Sequence, residues 1–210
     1  MPPQAASPVE GARSRRTALA LTLILVAVAL AALAATALAA DTVIDADTTI
    51  SGRTVWANGT YEVRANVTVA QGGTLVVSNA TVAFRTAEEG AAGIFVEKGG
   101  ALEAEGATFA ALDRPYSLVV GGRVTLVNTT LSGLMSSPPT RFVYFDSVGG
   151  LMIDGGSAVL RNVSISGTSS AMVTAFDSTV EAHGLTLAGE GLGMLLIGCT
   201  ASVTDLKLDG

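Results

Sequence analysis

The stretch Gly72-Gly73-Thr74-Leu75-Val76-Val77-Ser78-Asn79-Ala80-Thr81-Val82-Ala83 sets a twelve-position grammar that the chain writes five more times. Aligned without gaps, the six copies begin at Gly72, Gly99, Gly121, Gly155, Asp177 and Gly198. With the first residue of each copy as position zero, position three reads Leu75, Leu102, Val124, Ala158, Val180, Ala201, and position five reads Val77, Ala104, Leu126, Leu160, Ala182, Val203. Both columns are apolar throughout. Position four mixes Val76, Glu103, Thr125, Val159, Glu181 and Ser202, and position six holds Ser78, Glu105, Val127, Arg161, His183 and Thr204. Alternation of this kind is a strand with one buried face.

Position seven is Asn79, Gly106, Asn128, Asn162, Gly184 and Asp205. Only the residue types that tolerate a positive φ occur there, which predicts a left-handed corner. Beyond it the alternation resumes. Position eight (Ala80, Ala107, Thr129, Val163, Leu185, Leu206) and position ten (Val82, Phe109, Leu131, Ile165, Leu187, Leu208) face in, while position nine (Thr81, Thr108, Thr130, Ser164, Thr186, Lys207) faces out. A further apolar run, such as Gly93-Ile94-Phe95-Val96 or Met194-Leu195-Leu196-Ile197, precedes the next copy and supplies a third strand.

The copies are spaced by 27, 22, 34, 22 and 21 residues, so the basic unit is close to 22 residues with two insertions. Three short strands per unit, with one corner column kept in register through six copies, predict coils stacked at about 4.8 Å rather than the hairpins of a sandwich. On this grammar, residues 41–210 resemble the right-handed parallel β-helix repeat proteins of the pectate-lyase-like superfamily. The resemblance implies an all-β, right-handed parallel β-helix. Its relatives with lyase or polygalacturonase activity use carboxylate clusters with Arg, Lys or His, and the NTD, DD, GHG and RIK motifs of the latter do not occur here.

Outside the repeat, residues 1–16 read as a disordered cytoplasmic tail containing Pro2, Pro3 and Pro8. Residues 17–40 are uncharged and follow Arg13, Arg15 and Arg16, which predicts a hydrophobic helix with residues 41 onward outside the cell. Two readings fit it: a signal peptide cleaved near Ala39, where Ala37-Leu38-Ala39 has the small-residue form, or an uncleaved membrane anchor. Residues 41–62 read as a capping coil with Trp56 packed in it, and residues 63–210 as the repeats proper. The sixth copy stops at Gly210 without an atypical closing unit, which suggests a polypeptide that continues, or an open end that stacks on a neighbour in end-to-end self-association.

Charge and composition narrow the partners. Three of the 12 basic and one of the 18 acidic residues precede residue 41, leaving 9 against 17 and a net charge of −8 on the exported part. Nucleic acid is not an expected partner, since phosphate binding needs a basic patch. One cysteine, Cys199, and one histidine, His183, leave no intrachain disulfide and no Cys/His metal site, and no cofactor is expected. Cys199 reads as a small core residue. His183-Gly184 is the nearest fragment to a catalytic motif, but the repeat alone accounts for it, and no spacing argument makes Asp113 and Asp146 an acid–base pair. No catalytic residue is assigned.

Both insertions fall between position ten and the next copy, one around 86–90 and one around 135–146, so they emerge on one side of the coils. Together with the uninserted coil between them they gather Glu88, Glu89, Asp113, Arg114, Tyr116, Arg141, Phe142, Tyr144 and Asp146 as a candidate binding face. Rings that stack on sugars beside groups that hydrogen-bond hydroxyls suit a glycan. The expected function is an exported cell-surface structural or adhesive β-helix presenting that face to an extracellular polysaccharide or a cell-surface protein. The alternative is a polysaccharide-active lyase or hydrolase.

All five asparagines, Asn58, Asn66, Asn79, Asn128 and Asn162, have Thr or Ser two residues on and form N-glycosylation sequons. Asn79, Asn128 and Asn162 lie in the corner column, where stacked amides can bond coil to coil inside the fold. Asn58 and Asn66, read as lying outside that column, are the better expected acceptors.

Overall fold

The computed structural model describes residues 41–136, 148–168 and 170–210. The predicted helix over 17–40 and most of the longer insertion, with Arg141, Phe142, Tyr144 and Asp146, lie outside them. The described residues fold as a parallel β-helix. Every strand pairing is parallel, and the strands fall into three ladders, each coil contributing one strand to each.

The first ladder holds positions two to six: β3 (Arg53–Ala57), β6 (Thr74–Ser78), β9 (Ala101–Glu105), β12 (Arg123–Val127), the front halves of β15 (Ser157–Ser166) and β17 (Thr179–Ala188), and β19 (Thr200–Thr204). The second holds β1 (Thr42–Ile44), β4 (Thr60–Val63), β7 (Thr81–Phe84), β10 (Thr108–Ala111), β13 (Thr130–Ser132), the back halves of β15 and β17, and β20 (Lys207–Asp209). The third is a separate seven-stranded sheet of β2 (Thr48–Ile50), β5 (Asn66–Val69), β8 (Gly93–Val96), β11 (Ser117–Val120), β14 (Leu151–Asp154), β16 (Val173–Phe176) and β18 (Met194–Ile197). Because β15 and β17 run unbroken through the corner, the first two ladders join into one 13-stranded sheet.

The register is the one the repeat dictates. Leu75 lies beside Leu102, Leu102 beside Val124 and Val124 beside Ala158, so identical positions stack directly. Positions three, five, eight and ten are buried in the first five copies and form one core with the inward residues of the third ladder, such as Ile94, Leu118 and Ile153. In the sixth copy the same columns keep their pairing but are half-buried or exposed, Leu208 to 63%.

Position seven has a positive φ in all six copies, from 47° at Asn79 to 69° at Gly184. Asn58, at φ 53°, belongs to the same column. Ala57 pairs with Ser78, so Asn58 sits directly beside Asn79, and the reading that placed it outside the corner is corrected. The register was hidden because this first coil opens with Ser51-Gly52 instead of a glycine pair. Residues 41–62 thus form a coil in register. Trp56 takes position five and stacks on Tyr61 with centroids 5.1 Å apart, while the Tyr61 hydroxyl accepts a 2.9 Å hydrogen bond from the Ala57 N–H.

The core holds an unsatisfied polar atom. Tyr116 is fully buried, its ring lies parallel to Phe84 at 3.8 Å, and its hydroxyl has no partner among the described residues. Burial alone pushes that hydroxyl far above the ordinary tyrosine range. A buried donor without a partner costs about 1–3 kcal/mol of desolvation. Tyr116→Phe keeps the stack and removes the cost, so it should raise the unfolding free energy by about 1 kcal/mol in a denaturant titration. A loss of stability would mean that the hydroxyl is bonded.

Candidate functional site

Two surfaces gather polar chemistry. The first is the loop side, between the second and third ladders, where the insertions leave. The Gly90 N–H donates to the Pro115 carbonyl at 2.9 Å, and the Met135 N–H to the Tyr116 carbonyl at 2.8 Å, so residues 86–91, 112–116 and 133–136 stack in order. Glu88, Glu89, Asp113 and Arg114 are exposed there. Asp113 is held by Arg85 at 3.1 Å, and Arg85 also reaches Glu62 at 2.9 Å, which Arg64 meets at 2.6 Å. Four charges from three coils thus form one chain. The Arg64 guanidinium foremost, then Arg85, holds the Glu62 carboxyl below its ordinary range, against a desolvation that acts the other way. Glu88, Glu89 and Arg114 make no ion pair with a described residue.

Tyr116 does not belong to this face. Its ring points into the core, because Pro115 and the isolated bridge from Tyr116 to Leu134 bring the chain inward before β11 begins. The loop side therefore offers carboxylates and guanidinia but no exposed ring among the described residues at the predicted positions.

The second surface was not singled out in the sequence. It is the outward face of the first ladder, made by positions two, four and six. Its only sequence signal is the mixed polar character of those columns, which reads as ordinary strand alternation until the coils are stacked. Across rungs, Arg123 bonds Glu103 at 3.2 Å and Arg161 bonds Glu181 at 3.1 Å, each pair diagonal between neighbouring coils. His183 Nδ1 lies 2.8 Å from the Thr204 hydroxyl and 3.1 Å from the Asp205 carboxylate. All of these side chains are well exposed, so each pair adds little to stability.

Among the described residues, open grooves follow this face and its edge. One of about 340 Å³ lies among Val76, Ser78, Glu103, Glu105, Arg123 and Thr125, and one of about 530 Å³ among Arg161, Thr179, Glu181, His183, Thr200 and Ser202. Another, of about 480 Å³, follows the corner where the third ladder turns into the first. Its floor is the glycine pairs 72–73, 99–100, 121–122 and 155–156, and Lys98 and Arg123 flank it. The second glycine of each pair is there because the backbone of the neighbouring coil leaves no room. A Cβ on Gly100 would stand 2.5 Å from the Val69 carbonyl oxygen, and one on Gly156 as close to that of Gly122. Where the fold forbids side chains, a trench across four coils results.

The arrangement offers hydroxyls, carboxylates, guanidinia and an imidazole at regular steps of about 4.8 Å along one face. Among the described residues no three His, Cys, Asp or Glu side chains gather to hold a metal ion. Cys199 is half-buried in the last coil, with its thiol directed at the Ile197 carbonyl.

The asparagine side chains point outward. Asn58, Asn79, Asn128 and Asn162 are exposed, and Asn162 Nδ2 donates to Asn128 Oδ1 at 3.1 Å on the surface, so the corner is no internal amide ladder. Asn66 differs. It lies in β5, is half-buried, and its Oδ1 is shut off from solvent without a partner among the described residues.

No family model, no curated protein and no solved structure matches the chain.

Proposed function

We propose that the chain is an exported, cell-surface β-helix with a structural or adhesive role, whose outward first-ladder face binds an extracellular glycan. The observation that carries this reading is the row of Glu103–Arg123 and Glu181–Arg161 pairs beside hydroxyl-bearing Ser78, Thr125, Thr179, Thr200 and Ser202. A linear polyhydroxylated chain meets donors and acceptors at a fixed interval along such a face, and guanidinium–carboxylate pairs hydrogen-bond vicinal hydroxyls without having to dissociate. The parallel stacking supports the structural half of the reading, since a rod of coils holds its face at a constant geometry. The uncharged segment 17–40 behind its arginines supports export.

The test is an array of polysaccharides probed with the exported protein, with Arg123→Ala and Arg161→Ala beside it. Selective binding that each substitution weakens about tenfold, or 1.4 kcal/mol, is the expected result. Absence of binding by every form, or binding indifferent to both arginines, rejects the face. Release of sugar products on the same array would move the function to the polysaccharide-active alternative.

A further inference from the structure

We propose that the corner asparagines Asn58, Asn79, Asn128 and Asn162 are N-glycosylated in a single row, and that within the neighbouring pairs Asn58/Asn79 and Asn128/Asn162 one glycan excludes the other. The proposal rests on the exported location of residues 41–210.

A corner residue needs a positive φ, and that need is met equally by Gly106, Gly184 and Asp205 in the same column. The four asparagines add an exposed amide. Each also has its sequon hydroxyl, Thr60, Thr81, Thr130 or Ser164, two residues on at outward position nine, so amide and hydroxyl lie on the same side of the chain. A transferase that reads both groups has access from solvent. In the reaction, the amide nitrogen attacks the anomeric carbon of a lipid-linked oligosaccharide. A C–N bond forms, the bond from that carbon to the pyrophosphate oxygen breaks, the lipid pyrophosphate leaves as the anion, and the amide proton passes to solvent.

Spacing sets the exclusion. Neighbouring corners are one coil apart, about 4.8 Å, and a hydrated sugar ring is wider than that interval. Asn58 stands directly above Asn79. Asn128 and Asn162 are close enough to share the 3.1 Å amide bond, which uses one of the two Nδ2 hydrogens of Asn162 and leaves the other for a glycan. The coil of Gly106 separates the pairs: Asn79 leans over it, with Oδ1 only 2.5 Å from where a Cβ would stand, so two glycans fit where three or four do not. Asn66 is left out, since its amide is half-buried in an extended strand.

The experiment expresses the full chain in a host that installs N-glycans on exported proteins and measures intact mass and site occupancy of the secreted protein. Aspartate is the substitution of choice, because Asp205 already takes this corner at φ 53°. Two glycans per molecule are expected, one from each pair, with Asn66 bare. Asn58→Asp or Asn79→Asp alone should leave the count at two, as the neighbour takes the glycan. The double variant should leave one, and adding Asn128→Asp and Asn162→Asp none. Thr60→Val with Thr81→Val should match the first double variant while keeping both asparagines. Secreted protein without glycan mass, with Asn66 as its main site, or with three or more corner glycans overturns the proposal while export stands. Unmodified protein retained in the cell overturns the export reading and this proposal with it.

Discussion

Leu160→Asp is expected to unfold the stack. Leu160 is wholly buried in the front half of β15, with Leu126 of β12 on one side and Ala182 of β17 on the other. No Lys or Arg is buried in the core among the described residues, so an aspartate there must be buried charged, buried protonated, or expelled with its coil. The expected loss exceeds about 4 kcal/mol, a large share of the stability of a domain this size. Since each coil rests on its neighbours alone, the damage should spread to the coils on both sides. Val159→Asp is the matched control. It is the adjacent residue on the opposite face, half-exposed, and should cost less than about 1 kcal/mol. A melting curve of Leu160→Asp that overlays the parent, or a collapse produced equally by Val159→Asp, would overthrow the register.

Gly122→Ala is expected to carry one of the large single-methyl costs at the glycine-pair corners. Its Cβ would meet the carbonyl oxygens of Gly100 and Glu97, both backbone atoms fixed by neighbouring coils, and neither can swing away as a side chain would. Relief requires the coils to part, with a loss of about 3 kcal/mol or more. Gly72→Ala probes the other glycine of the same motif. Nothing lies within 4 Å of its Cβ, and only φ +79° opposes the change, which sets its cost at about 1–2 kcal/mol. Asp177, at φ 46°, shows that the first position admits an acidic side chain. Chemical denaturation of the two variants should order them clearly. Equal costs would mean that corner crowding is not what selects the second glycine.

The coil was legible because stacking turns a local period into a global one. A residue that repeats every 22 positions meets its own counterpart, so columns three, five, eight and ten state both burial and neighbour, and a left-handed corner shows as Asn, Gly or Asp. Where that period lapses, sequence reading loses its footing. Tyr116 follows a loop of no fixed length, so nothing in its spacing says that the ring turns inward to Phe84. Asn58 sits in a coil without the glycine pair that marks position zero. The first-ladder face went unread for a different reason. Its charges, Glu103 with Arg123 and Glu181 with Arg161, lie 20 residues apart, and only the stacking makes them neighbours. On the loop side, Asp113 is tied to Arg85, a residue the insertions do not contain.

The unbroken parallel pairing has a mechanical side. Hydrogen bonds between coils point along the axis of the stack, so a pull along that axis passes through every interface in series and each carries the full load. A chain wound in this way unreels from an end like thread from a spool. Each turn of about 22 residues then yields roughly 70 Å of extended chain, which gives the stack a reserve of length that a sandwich joined by hairpins lacks.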